Sequence, residues 1–235
     1  MIRLIPVLAL FLSFPASALS PEDTKIFQRL EKELKGQHDI IRRTVTRKGD
    51  KTIELEGFIS TELNLELAKP ILVNFSKYQA WALRDINKKP DGGEYMLKLL
   101  SALPLESEPE VLELRYLLDV PLFSSVGVQP FRMSSEQKDG YLELRAEAVT
   151  SKKSLIDSAI GTAKIFPVAG ERNRIWVYTL GRMRLHPWLM YEALPDQLLN
   201  RLVANRIKTF LDNLLEEQDK RALPPPNPRH LSADK

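Results

Sequence analysis

Residues 195 to 220 read Pro195-Asp-Gln-Leu-Leu-Asn-Arg-Leu-Val-Ala-Asn-Arg-Ile-Lys-Thr-Phe-Leu-Asp-Asn-Leu-Leu-Glu-Glu-Gln-Asp-Lys220, and this stretch decides the fold class. Proline at the first helical position with Asp196 beside it marks a helix start. At 100° per residue, Leu199, Leu202, Val203, Ile207, Phe210 and Leu214 share one broad arc, while Asn205, Lys208, Asp212 and Glu216 lie opposite. Such a helix has to lay its apolar stripe on a partner. The strands before it supply one. Leu112, Leu114 and Tyr116 alternate with Glu113 and Arg115, and Leu142, Leu144, Ala146 and Ala148 alternate with Glu143, Arg145 and Glu147. Period-two alternation of this kind means antiparallel strands with one wet and one covered face, so the class is α+β.

Working towards the N-terminus, strands are expected at about 94 to 103, 156 to 166 and 173 to 185, with turns at Asp91-Gly92-Gly93, Lys138-Asp139-Gly140 and Ala169-Gly170. The stretch Phe123 to Gln137 is longer than a simple hairpin connection needs, and no strand is assigned to it. A helix is expected over Leu65 to Leu83, kinked or split by Pro70. Two runs of β-formers, His38 to Arg47 and Lys51 to Ser60, flank Lys48-Gly49-Asp50 and predict a hairpin. Ahead of them, Ser20-Pro21-Glu22-Asp23 starts a helix that carries Ile26, Phe27, Leu30 and Leu34 and stops at Gly36.

The two ends are of different character. Arg3 is followed by an apolar run, Leu4 to Phe14, and then by Pro15 and Ala16-Ser17-Ala18, the order of a cleavable signal peptide. A run of eleven residues, apolar but for Ser13, falls short of the roughly 20 that a membrane-spanning helix needs. The expectation is therefore a signal peptide over 1–18, one domain over 19–222, and export to the periplasm or the medium. Leu223-Pro-Pro-Pro-Asn-Pro-Arg-His-Leu-Ser-Ala-Asp-Lys235 is too rich in proline for helix or sheet and is expected to be a disordered tail. With no cysteine, there are no disulfides and no thiol lipid anchor. The formal charge of +3 drops to +2 without Arg3, acids and bases are well mixed, and no basic block interleaved with aromatics points to nucleic acid.

The order helix, two strands, helix, several antiparallel strands and long C-terminal amphipathic helix resembles the START-like superfamily, which includes the polyketide cyclase and Bet v 1 families. The residues that carry the likeness are Phe75, Tyr78 and Trp81 in the first of two segments, and Leu194-Pro195 through Leu215 in the second. By element order it covers roughly 38 to 220. The resemblance implies a helix-grip fold, in which a curved antiparallel sheet wraps around the C-terminal helix and either packs solidly or leaves a pocket for an apolar ligand. Small residues decide which. Ala146, Ala148, Ala159, Gly161 and Ala163 lie on strands and leave room, unless Trp176, Tyr178 or the helix fills it.

The expected function is that of an exported binding protein for a hydrophobic molecule such as a lipid. Leu199, Leu202, Val203, Phe210, Ala146, Ala148, Trp176 and Tyr178 are the expected ligand contacts. Arg206 falls inside the apolar arc; it either holds a ligand carboxylate or phosphate or snorkels to the edge of the stripe. Arg182 and Arg184 near His186 read as a solvated face, with attraction to an anionic headgroup as the alternative. The apolar segment His186 to Leu194 reads as a packed connection, the alternative being a lid or a transient membrane contact.

His38, His186 and His230 lie in different elements, and no His-Glu-x-x-His spacing exists, so no metal is assigned. The Gly-x-Ser-x-Gly elbow, the Walker loop and the Gly-x-Gly-x-x-Gly fingerprint are absent, so no catalytic residue and no cofactor are assigned. An enzyme of cyclase or hydrolase type and a ligand-free interaction module are the competing readings, and composition is silent on oligomeric state.

Overall fold

The computed structural model describes Glu22, Lys25, Ile26, Arg29, Leu30 and residues 42–47, 52–89, 91–120, 123–150, 156–168, 170–185 and 196–222; side chains at 42–47, 53, 118, 120, 123, 185, 196–204 and 222 lie outside that description. The expected signal peptide, the Pro-rich tail and the segment His186 to Leu194 also lie outside it.

Among the described residues, eight strands form one antiparallel sheet: β1 (Arg42–Arg47), β2 (Thr52–Glu62), β3 (Leu97–Pro104), β4 (Val111–Val120), β5 (Phe123–Lys138), β6 (Tyr141–Ala148), β7 (Ile156–Pro167) and β8 (Arg174–Leu185). Their order across the sheet is β1-β2-β8-β7-β6-β5-β4-β3, so β2 crosses over to pair with β8 and the hairpins from β3 to β8 run as a meander. Helix α1 (Leu65–Leu72), a 3-10 turn (Phe75–Lys77) and α2 (Tyr78–Trp81) bridge β2 to β3, and α3 (Asp196–Ala222) closes the chain. The sheet curls around α3, and one apolar cluster joins Leu211 and Leu214 to Ile59, Leu112, Leu142, Ile165 and Val177 from five different strands. This is the helix-grip α+β fold expected from the element order.

Two expectations need correcting. Phe123–Lys138 is a single 16-residue strand, paired with β4 through one half and β6 through the other. Serines, Gly127, Gln129 and Pro130 blur its alternation, so the sequence shows no strand signal there. Pro70 does not break α1, which passes through it and ends at Val73; the cap is Asn64, whose side chain accepts from Glu66 and Leu67 N–H.

Two devices hold α3 in place. Phe210 packs on Tyr78 and Trp81, ring centroids 5.9 and 5.0 Å away, and Tyr78 itself meets Trp81 at 5.1 Å. Beside them the buried Asn213 donates to the Arg84 carbonyl at 2.8 Å, and the Arg84 guanidinium reaches Glu216 at 2.7 Å. A further tie is Gln218, whose Oε1 accepts from Asn64 N–H at 3.2 Å.

The outer side of β3 is occupied by side chains. Asn87 accepts from Leu99 N–H at 2.7 Å and donates to the Leu99 carbonyl at 2.8 Å, while Gln79 accepts from Ala102 N–H at 2.6 Å. A register shift between Leu99 and Ser101 interrupts the same strand.

Two glycines differ sharply in their surroundings. A Cβ at Gly127 would lie 2.3 Å from the Tyr116 ring, whereas a Cβ at Gly161 would meet nothing within 4 Å. Gly127→Ala is expected to destabilise the protein by about 1–3 kcal/mol through overpacking. Gly161→Ala should be neutral or stabilising by up to about 1 kcal/mol, because a strand glycine carries an entropic cost. Urea denaturation of both variants checks this; equal midpoints would contradict the packing described.

Candidate functional site

Strand pairing assigns every residue to a face. Leu142, Leu144 and Ala146 of β6 stand opposite Ile165, Ala163 and Gly161 of β7, with Ala148 and Ala159 next along the same face, and these continue through Val177, Thr179, Gly181 and Met183 of β8 to Ile59, Gly57, Leu55 and Ile53 of β2. The face includes Leu142, Ile165 and Val177 from the cluster under α3, so it is the concave one.

Along this face burial runs in a gradient. At one end Leu142, Ile165, Ile175 and Ile59 are fully covered. Moving up the same strands, Leu144, Ala146 and Ala148, then Ala163, Gly161 and Ala159, then Thr179, Gly181 and Met183 are only half-buried. On β6 and β7 side-chain volume falls in the same direction, from leucine and isoleucine to alanine and glycine, and on β8 it falls from Val177 to Gly181 before Met183. The result is a trough floored by small residues of β6, β7 and β8, with Leu144 towards its closed end and Met133 of β5 beside Ala146. The open space over Gly161 lies on this floor.

The expected contacts divide into five groups. Ala146 and Ala148 lie on the trough floor. Leu199, Leu202 and Val203 belong to α3, but their side chains lie outside the described residues. Phe210 does not look onto the small-residue floor; it is taken up by Tyr78 and Trp81, so near Phe210 the space between helix and sheet is filled by protein. Trp176 and Tyr178 are corrected outright. They alternate with Ile175 and Val177 and point to the convex side, where they pack with Phe58, Tyr141, Phe166 and Leu30. The N-terminal helical residues Ile26 and Leu30 cover that second cluster. The strand carries apolar residues on both faces, so its alternation cannot say which set meets α3.

Arg206, the remaining contact, reaches the start of β3. Its guanidinium donates from Nη2 to the Leu97 carbonyl and lies over the Tyr95 ring, 5.2 Å from the centroid. Burial pulls its pKa below the ordinary guanidinium value. Neither Tyr95 nor Asn213, nor the buried Gln129, is marked out by local pattern.

The convex face carries an opening of about 350 Å³ lined by Glu54, Glu56, Ile160, Thr162, Leu180 and Arg182. Its charges are matched internally. Arg182 Nε lies 3.6 Å from Glu54, and Glu56 accepts from the Tyr178 hydroxyl at 2.9 Å and pairs with Arg29. Among the described residues, no group of three or more His, Asp or Glu could hold a metal ion, and no helix is long and apolar enough to cross a membrane.

No protein-family model matches the chain, and no curated protein matches it in sequence. Solved structures do. A START superfamily protein from Mycobacterium smegmatis is 9% identical, with 72% of this chain and 98% of that one covered at a TM-score of 0.43. The Zhui aromatase/cyclase from Streptomyces sp. R1128 is 13% identical over 73% and 96%, TM-score 0.45. A STAR-related lipid transfer protein from Xanthomonas axonopodis is 17% identical over 75% and 98%, TM-score 0.41. The fold assignment rests on the strand order, register and closing helix described above, which are those of the helix-grip fold.

Two tyrosines carry a pH consequence. Burial raises the pKa of Tyr78, whose hydroxyl donates to the Leu72 carbonyl at 2.6 Å. Tyr178 is pushed up to about 12, by burial first and then by its bond to Glu56. Both stay protonated in the folded protein where an unfolded tyrosine, with a pKa near 10, has ionised. The contribution of Tyr178 is therefore complete below pH 10 and is lost as pH rises to about 12, and Tyr78 adds a loss of the same sign above pH 10. Thermal melting between pH 8 and 12 should show Tm falling above pH 10, less steeply in Tyr178→Phe; identical slopes would refute the assignment.

Proposed function

We propose that this chain is an exported binding protein that holds a hydrophobic molecule, a lipid or a compound with a lipid-like chain, in the trough between the curved sheet and α3. The carrying observation is the burial gradient on β6, β7 and β8, which passes from a solid core at Leu142, Ile165 and Val177 to accessible small residues at Ala146, Ala148, Ala159 and Gly161. A core that is complete at one end has no need of small residues at the other, whereas apolar guests need room that protein side chains leave unfilled. The energetics suit a reversible binder. An acyl chain burying a few hundred Å² gains several kcal/mol at about 25 cal/mol per Å², without any covalent step. Export enters from the apolar run Leu4 to Phe14 and the Ala16-Ser17-Ala18 site.

A binder is preferred to an enzyme because the described floor offers alanine, glycine and the Thr179 hydroxyl, and that hydroxyl donates to the Gly57 carbonyl at 3.3 Å.

The test has two parts. Protein isolated from its own compartment is examined by native mass spectrometry and solvent extraction, and a mass increment that extracts as a lipid is expected. The double variant Ala146→Leu and Gly161→Leu should then keep its circular dichroism spectrum and lose at least tenfold in affinity for oleyl alcohol as probe. A filled variant that binds as well as the parent sinks the proposal.

A further inference from the structure

Three other part-covered cations each reach a carboxylate. Arg84 pairs with Glu216, Lys98 with Glu94 and Arg174 with Glu171, all with side chains no more than 30% exposed. Arg206 differs. Among the described residues no carboxylate lies in ion-pair range of it; its one acceptor is the neutral Leu97 carbonyl, and its Nε is buried with no acceptor. Directly beneath lies Tyr95, 8% exposed, whose hydroxyl is also buried without a partner. Two adjacent groups able to donate thus go unused in a desolvated place, where an unmade hydrogen bond is costly. A guanidinium has five N–H donors in a fixed fork, and one of them on a carbonyl leaves its charge uncompensated.

We infer that Arg206 and Tyr95 form the receiving site for an anionic oxygen group, a carboxylate or a phosphate, at the polar end of the amphiphile that the trough takes up. This deepens the binding proposal and rests on it. The anion accepts from Nε–H and the Tyr95 hydroxyl while Nη2 stays on Leu97, so β3 and α3 keep their seam. A neutral head such as an alcohol leaves the charge unanswered, and this discriminates acids from neutral lipids of equal chain length. The ring face under the guanidinium holds the fork when the site is empty.

The experiment compares oleate, oleyl alcohol and inorganic phosphate on the full-length mature chain by titration calorimetry, for the parent protein, Arg206→Met, Arg206→Lys and Tyr95→Phe. The parent is expected to bind oleate at least tenfold more tightly than oleyl alcohol. Arg206→Met should erase that difference and leave oleyl alcohol unchanged, Tyr95→Phe should narrow it, and Arg206→Lys should keep part of it. Melting temperatures accompany each variant, and if Arg206→Met fails to fold, Tyr95→Phe and Arg206→Lys carry the test. Equal affinity of the parent for oleate and oleyl alcohol overturns the inference while leaving the trough standing. Failure of oleyl alcohol to bind the parent overturns the trough reading itself. Arg206-dependent binding of inorganic phosphate without any oleate advantage assigns the site to a free anion and overturns the amphiphile.

Discussion

The structure depends on the seating of α3. Phe210 is gripped by Tyr78 and Trp81 while Asn213 and Arg84 fasten the adjoining turn, so apolar and polar contacts fix the same stretch of helix. The apolar part supplies most of the free energy, since aromatic rings bury large areas. The polar part supplies direction, because Asn213 and Arg84 find their partners at one rotation of the helix. With that half anchored, the curled sheet has a fixed axis to wrap around, and the room left over its other half is a property of the sheet's own side chains.

That room follows from volume more than from backbone. β6, β7 and β8 pair without interruption from Leu142 to Glu147 and from Ala159 to Pro167, so the floor is continuous. What changes along it is residue size. Phe58, Tyr141, Phe166 and Tyr178 alternate with Ile59, Leu142, Ile165 and Val177, so the convex cluster backs the closed end of the same strands. Cohesion is thereby concentrated at one end of these strands, on both faces of the sheet.

The element order, the closing helix and the alternation of β4 and β6 were legible in the sequence because each rests on a period that one element reveals by itself. Ala146 and Ala148 were placed on the inward face for the same reason. Trp176 and Tyr178 were misplaced because β8 is covered on both sides, and a doubly covered strand has no polar face to orient it. Strand β5 was missed because its serines, glycine and proline carry little β-propensity, and its pairing with two neighbours is a tertiary fact. Tyr95 and Asn213 matter through partners far away along the chain, Arg206 for the first and Arg84 and Ala82 for the second, and no local pattern carries such information.

The outer side of β3 has a consequence of its own. An open sheet ends in strands whose free N–H and carbonyl groups invite an extra strand, the route to edge-to-edge polymerisation and amyloid-like stacking. Here Asn87 takes both groups of Leu99, Gln79 takes the N–H of Ala102, and Arg206 takes the carbonyl of Leu97. The register shift after Leu99 also spoils the straight ladder that an intruder would need. Leu100 and Leu103 can therefore stay exposed on this border without turning the molecule into a template for its own copies.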